Sequence, residues 1–186
     1  VKEGKVSTEK LDDAVKRVLR VKFRLGLFEN PYTAASTEKE RFLLEENLKV
    51  AEKLAEETMV LLKNENKALP LKNVSKIAVI GPMAKSQWHL LGSWRAHGNA
   101  EDAVTIFKGL ENEYKGKAQL LFAEGCDFEG EDTSKFAEAK SIAQSADVVV
   151  LCLGEKAQWS GENTSRSTLA LPSIQEQLVK ELKETG

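Results

Sequence analysis

Hydrophobic and polar positions divide the chain into two stretches with different periodicity. Up to about residue 60, apolar residues recur every three or four positions, which is the spacing of amphipathic helices. Leu11, Val15 and Val18 predict a first helix over residues 7–25, and Gly26 is suited to end it in a left-handed conformation. The apolar residues that follow Gly26 look exposed, so we expect something outside this helix to cover them.

A second helical pattern follows. Thr37 and Glu40 have the spacing of a capping box, and apolar residues recur at helical spacing from Leu44 to Met59. This pattern predicts one long helix that begins at Thr37. Pro70 disfavours helix at the preceding residue and therefore predicts an extended connector over residues 67–71.

Beyond residue 75, short apolar runs alternate with helical patterns. Strands are predicted at 76–80, 119–123 and 148–153, and helices at 105–114, 134–145 and 173–183. Alternating strands and helices are typical of a mainly parallel sheet. The strands are continuous apolar runs, as expected when both of their faces are covered. The predicted fold class is therefore α/β, a mainly parallel sheet with helices on both faces.

Composition and charge narrow the possible functions. The chain has 186 residues, of which 41% are hydrophobic and 30% charged, so it can bury the core of one domain with an appendage. Its 27 basic and 29 acidic residues give a net charge of -2, which argues against nucleic-acid binding. No apolar run approaches the roughly 18 residues of a membrane-spanning helix. The two cysteines lack CxxC spacing, so a zinc site is not indicated.

The turn after the first predicted strand excludes one common α/β function. A dinucleotide-binding fold carries GxGxxG there, with small residues where the backbone meets the pyrophosphate. Here Gly81 is followed by Pro82 and Met83, and Pro82 also lacks an amide donor. Nucleotide binding is therefore disfavoured.

The next segment, residues 88–99, contains both histidines and two of the three tryptophans. Two histidines eight positions apart, without nearby carboxylates, are weak evidence for a metal site. The favoured interpretation is a loop whose tryptophans pack against a neighbouring domain. The alternative is that Trp94 stacks on the apolar face of a sugar ring.

The loop after the third predicted strand carries the most suggestive chemistry. Ligands of open α/β sheets bind beyond the carboxyl ends of the strands, and this loop contains Glu155, Trp159, Glu162 and Arg166. Glycosidic cleavage typically uses two carboxyl groups, one as proton donor and one as nucleophile or base. On composition alone, however, both glutamates would be assigned to the solvated surface.

Several short segments, in order along nearly the whole chain, resemble glycoside hydrolase family 3, the family of many β-glucosidases and β-xylosidases, and particularly its bacterial periplasmic β-glucosidase branch. The segments are LDDAVKRVL at 11–19, KFRLGLF at 22–28, AEETMVLLKN at 55–64, LPL at 69–71, KIAVIGP at 76–82, GSW at 92–94, SGE at 160–162, SR at 165–166 and LALP at 169–172. Each segment is weak evidence by itself, whereas the ordered set is specific.

The resemblance implies a domain organisation. Residues 1–34 would be the end of the family's N-terminal, TIM-like barrel domain, and residues 35–72 a linker helix with an extended connector. Residues 73–186 would be the first part of the α/β sandwich domain, truncated at its C-terminus. We therefore expect a fragment whose partner is the missing barrel domain, and whose truncated sheet exposes surface for self-association.

The resemblance also implies a mechanism. The family contains retaining β-glycosidases whose nucleophile is an aspartate of the barrel, which this chain lacks. Glu162 would be the catalytic acid/base, with Glu155 as a possible rival, because the loop varies in length. Trp159, Arg166 and Trp94 would bind substrate, Trp159 and Trp94 by shaping the leaving-group side and Arg166 by positioning the loop.

The implied function is exo-acting hydrolysis of terminal β-D-glucosyl residues from β-glucosides or oligosaccharides, in the periplasm or outside the cell. No metal, organic cofactor, nucleic acid or membrane is implied. Because the nucleophile is absent, we expect the fragment alone to be inactive. The alternative is a non-catalytic flavodoxin-like binding domain, which would not need the helix at 7–25.

Overall fold

The computed structural model describes residues 1–34 and 36–185. The chain divides into two compact units, one spanning residues 1–64 and one that begins at residue 65. No helix in the described ranges is both long enough and apolar enough to cross a membrane.

The first unit begins with helix α1, Thr8–Arg24, which confirms the first predicted helix. Ser7 caps it by accepting a 3.3 Å hydrogen bond from the backbone N–H of Lys10. After Leu25, Gly26 adopts a φ of +65° and ends the helix in the left-handed conformation that favours glycine. The rings of Phe23 and Phe28 then lie 4.4 Å apart across this turn.

The prediction of one long helix from Thr37 is wrong. The chain forms a short helix α2, Ser36–Lys39, and a separate helix α3, Glu45–Thr58. Thr37 lies within α2, and Leu43 has a φ of +56°, which no continuous right-handed helix can contain. A capping box adds only about 1 kcal/mol, and helices of this length are marginal unless they pack. No residue of α1 or α3, both within the described ranges, is buried.

The second unit contains a three-stranded parallel sheet with strand order β2-β1-β3. Its strands are β1 Lys76–Ile80, β2 Gln119–Ala123 and β3 Val148–Leu151, and the register places Ala78 opposite both Leu121 and Val149. All three strands were predicted, although β3 ends two residues earlier than expected. The helices of this unit are α4 Gln87–Leu90, α5 Ile106–Glu113, α6 Phe136–Gln144 and α7 Ser173–Lys183, and short 3₁₀ turns occur at Glu65–Lys67, Ala100–Asp102 and Ala157–Trp159.

The central strand divides the core into two layers. Ala78 and Ile80 pack on one side with residues of α6 and α7. Ile77 and Val79 face the other side, where residues of α5 cover them. All four side chains are fully buried, as the continuous apolar run predicts for a strand covered on both faces. The predicted fold class, α/β with helices on both faces of a parallel sheet, is confirmed.

One backbone crossing fixes the geometry at the carboxyl end of the sheet. Gly81 follows β1 with a φ of +126°, and a Cβ built on it would lie 2.4 Å from the carbonyl oxygen of Cys152. That carbonyl accepts a 3.0 Å hydrogen bond from the N–H of Met83. Only glycine permits the chain after β1 to cross this closely over the chain after β3.

Candidate active site

A fully buried glutamine joins the loops that follow β2 and β3. Gln175, on α7, donates from Nε2 to the carbonyl oxygens of Phe128 and Gly154, at 2.8 Å each. Its Oε1 accepts a 2.9 Å hydrogen bond from the N–H of Gly154. The side chain is satisfied and fixes the start of the loop that contains Glu155 and Glu162. The sequence carried a signal for it, because Gln175 lies on the same helical face as Leu178 and Leu182.

Replacing Gln175 with leucine should leave three partly buried backbone groups, which now pair with its fully buried side chain, without partners. Each such group costs about 1–3 kcal/mol, and their losses are not fully additive, so we expect unfolding free energy to fall by about 3 kcal/mol. Urea unfolding of the 186-residue chain measures this. Gln177→Leu on the exposed face of the same helix is the control and should change stability by less than about 0.5 kcal/mol. Equal midpoints for the two variants would contradict the anchoring role.

His89 connects the loop after β1 to the other two loops. Its Nδ1 accepts a 3.2 Å hydrogen bond from the N–H of Ala157, so the neutral ring carries its proton on Nε2. The ring lies edge-on to Phe128, with 4.4 Å between centroids. Burial, and then the positive charge of Lys156, lower the pKa of His89. Lys156 also forms an ion pair with Glu129, so this lysine, like His89, links the loop after β3 to the loop after β2.

This arrangement predicts a pH dependence of stability. Because the folded-state pKa of His89 lies below the value of about 6.5 for an unfolded histidine, its contribution is fully present above that pH. The contribution is lost as pH falls through the folded-state value, since a protonated Nδ1 cannot accept from Ala157. Thermal unfolding between pH 7.5 and 5.5 should show this loss. The loss should shrink in His89→Asn and persist in His97→Asn, which changes the only other histidine.

Arg166 holds two parts of its own loop together. Its Nη1 lies 2.7 Å from Oε1 of Glu155, and its Nη2 donates a 2.9 Å hydrogen bond to the carbonyl oxygen of Ala170. The guanidinium carbon also lies 5.1 Å from the ring centroid of Trp159, within the range of a cation–π contact. Glu155 and Arg166 are therefore partners, and Trp159 packs beside them.

Glu162 is displayed at the tip of a tight turn. The carbonyl oxygen of Gly161 accepts hydrogen bonds from the N–H of Thr164 at 3.3 Å and from its hydroxyl at 3.0 Å. Gly161 has a φ of +113°, and a Cβ there would lie 2.7 Å from Oγ of Ser93. The turn is thus seated directly against the loop that follows β1, and Glu162 remains exposed at its tip.

The site residues predicted from sequence lie in two adjacent clefts. Glu162 and Trp94 line a cleft of about 380 Å³, in which the Trp94 side chain is 75% exposed. Trp159 and Arg166 line a second cleft of about 580 Å³. Gln158 and Thr164 border both clefts, whereas Glu155 lines neither of them. Glu162 and Trp94 therefore share one cleft, and Trp159 and Arg166 share the other. Gln158 and Thr164 form the wall between the two clefts.

The residues predicted for the site thus lie at the carboxyl edge of a parallel sheet that helices cover on both faces. Residues 59–186 match the glycosyl hydrolase family 3 C-terminal domain. The chain belongs to glycoside hydrolase family 3.

Individual relatives agree with this assignment. The chain is 35% identical to a periplasmic β-glucosidase of Salmonella typhimurium, over 100% of this chain and 28% of that protein. It is 34% identical to a β-xylosidase of Formosa agariphila, over 95% of this chain and 25% of that protein. Among solved structures, the β-glucosidase of Listeria innocua in complex with gluconolactone aligns with a TM-score of 0.82 and 36% identity, over 100% of this chain and 25% of that one. The chain thus spans about a quarter of the length of these relatives.

Proposed function

We propose that this chain is part of a longer retaining, exo-acting β-glycosidase, foremost a β-glucosidase that removes terminal β-D-glucosyl residues, and that Glu162 is its acid/base. The observation that carries this proposal is the placement of Glu162 at the tip of a seated turn, in a cleft with Trp94, at the carboxyl edge of the sheet. The names of the relatives, two β-glucosidases and a β-xylosidase, support the same reaction class.

In the proposed reaction Glu162 protonates the glycosidic oxygen as the bond to the leaving group breaks. Its carboxylate then removes a proton from the water that releases the sugar from the enzyme. Trp94 offers an apolar face to a sugar ring in the same cleft. Trp159, in the adjacent cleft, shapes the leaving-group side of the site, and Arg166 positions the loop through its charge-assisted hydrogen bonds.

A retaining mechanism also needs a carboxylate nucleophile about 5–5.5 Å from the acid/base. Glu155 is poorly placed for this role, because its carboxylate is paired with Arg166 and lines neither cleft. We propose that the nucleophile is an aspartate of a barrel domain, as the family resemblance implies. Residues 1–34 would then be the end of that barrel, residues 35–72 the linker and residues 73–186 part of the sandwich domain.

The first unit supports a partner of this kind. Helix α1 buries none of its residues, and large apolar side chains including Val15, Val18 and Phe23 are exposed. Such a surface is typical of a segment that packs against another domain. When that other domain is absent, the same exposed apolar surface would favour self-association of the isolated chain. We further propose a periplasmic or secreted location, on the strength of the Salmonella relative.

The test is hydrolysis of aryl β-glucosides by the longer protein that contains this chain, with the matching α-glucosides as controls. We expect turnover of the β-anomers with retention of configuration, which proton NMR of the first product reports. The 186-residue chain alone should show none, and its turnover would contradict a nucleophile outside it. Binding of sugars without turnover by the longer protein would instead favour a non-catalytic binding domain.

A further inference from the structure

The segment that carries Glu162 is anchored at its start by the core and at its end by one side chain. Gly154 is held by Gln175 through both its N–H and its carbonyl oxygen. Glu155 follows immediately, so its carboxylate projects from a fixed point of the backbone. From there the chain runs through the 3₁₀ turn and the Gly161–Thr164 turn before it reaches Arg166.

Arg166 closes this segment into a ring. One arm of its guanidinium group contacts Glu155 at 2.7 Å, and the other donates to the carbonyl oxygen of Ala170 at 2.9 Å. Its guanidinium carbon lies 5.1 Å from the centroid of the Trp159 ring. A planar guanidinium can make two directed hydrogen bonds and a stacking contact at once, whereas an ammonium group cannot. The entry, the middle and the exit of the loop therefore meet at one side chain.

We propose that Glu155 and Arg166 form a positioning pair. The pair holds the loop of residues 154–166, here called the acid loop, in one conformation, so that the Glu162 carboxyl group stays at the position in its cleft that proton transfer requires. The proposal rests on the proposed function, since it assigns the pair a role in the same reaction. It gives Glu155 a purpose other than chemistry: its carboxylate faces Arg166 and borders neither cleft. Both residues act through the loop, without touching the reacting atoms.

The exposure of the pair separates its effect on rate from its effect on stability. The Arg166 side chain is 22% exposed and that of Glu155 is 43% exposed, so their attraction is screened by water and contributes little to global stability. Proton transfer is far more sensitive to geometry, because a misplacement of about 1 Å can cost about 100-fold in rate. Breaking the pair should therefore slow catalysis much more than it destabilises the protein.

The first experiment compares Glu155→Gln with Glu113→Gln in the longer enzyme. Glu113, the last residue of α5, forms an ion pair of similar length with Lys117, at 2.8 Å, and neither residue lines either cleft. For substrates with poor leaving groups we expect Glu155→Gln to lower kcat about 10- to 100-fold, with an unchanged urea midpoint. Glu113→Gln should change neither quantity. An unchanged kcat for Glu155→Gln, or a fall matched by loss of folded protein, would overturn the proposal.

Two double-mutant cycles identify the path of the effect. If Glu155 and Arg166 act as one unit, Glu155→Gln combined with Arg166→Gln should be no slower than the slower single variant. If the pair acts through Glu162, Glu155→Gln should cause little further loss in a Glu162→Gln background. Independent, multiplying losses in either cycle would overturn the proposal. Arg166→Lys keeps the positive charge but loses the two-armed guanidinium group. Its kcat should lie between those of the unchanged enzyme and Arg166→Gln.

Hydrogen–deuterium exchange of the 186-residue chain tests the pair independently of any activity. Peptides covering residues 155–166 should exchange faster in Glu155→Gln than in Glu113→Gln, while peptides from the sheet stay unchanged. Equal exchange in the two variants would overturn the positioning role even in an active enzyme. If the longer enzyme is inactive on β-glycosides and the exchange difference is present, the proposed function fails while the loop closure stands.

Discussion

Glu162→Gln in the longer enzyme is expected to lower kcat/KM by about 100- to 10,000-fold for glucosides with poor leaving groups. Such groups cannot depart without a proton, and an amide cannot supply one. Glucosides with activated aryl leaving groups need no proton, so their first step should be nearly unaffected. The measurement is a plot of kcat/KM against leaving-group acidity for the two proteins, which should be much steeper for the variant.

The matched control for this prediction is Glu131→Gln, which removes an exposed glutamate of the loop after β2 that borders neither cleft. It should leave the plot unchanged. A second diagnostic uses azide with Glu162→Ala and an activated substrate. The anion needs no general base and should attack the glycosyl-enzyme directly, which raises turnover. An equal loss for all leaving groups would assign Glu162 a role in binding or folding instead.

Gly81→Ala is expected to destabilise the second unit by about 4 kcal/mol or more, the largest folding effect expected of a single methyl group here. The added Cβ would lie 2.4 Å from the oxygen and 2.8 Å from the carbon of the Cys152 carbonyl. These are backbone atoms, so no side-chain rotation can relieve the contact. The φ of +126° adds strain of its own. Urea unfolding, or failure to yield folded protein, measures the effect.

Gly130→Ala separates the two causes of this loss. Gly130 has a similar φ of +107°, but no atom lies within 4 Å of the Cβ position. It should show only the backbone strain, about 1–3 kcal/mol, and yield folded protein. If Gly81→Ala costs no more than Gly130→Ala, the chains after β1 and β3 do not cross as closely as described.

The sheet was predictable because its signals are local. Each strand is a continuous apolar run, and Thr105 marks the start of α5 by accepting a 3.0 Å hydrogen bond from the N–H of Lys108. Such signals need only neighbouring residues. The long helix from Thr37 failed for the converse reason. Its capping and periodic signals were present, but the helix break at Leu43 depends on conformation that the pattern does not encode.

The sequence offered candidate residues for the site but could not give their arrangement. A loop has no periodicity, so the sequence could not say on which side of it each residue lies. Glu162 and Trp159 line different clefts, and the turn before Glu162 lies against Ser93 through Gly161, a contact between positions 68 residues apart. Gln175 and His89 were missed for the same reason, because their partners at Gly154 and Ala157 are distant in sequence. The roles assigned to Glu162, Trp94, Trp159 and Arg166 remain predictions.

The anchoring of the acid loop by Gln175 has a consequence for the order of events during translation. The central strand β1 is synthesised first and acquires its two neighbours in turn, so the sheet can assemble as the chain emerges. Glu162 leaves the ribosome before Gln175 does. The loop that carries Glu162 therefore cannot be anchored at Gly154 until the later residue Gln175 has been synthesised. A nascent chain stalled between these two residues would contain all three strands with an untethered acid loop.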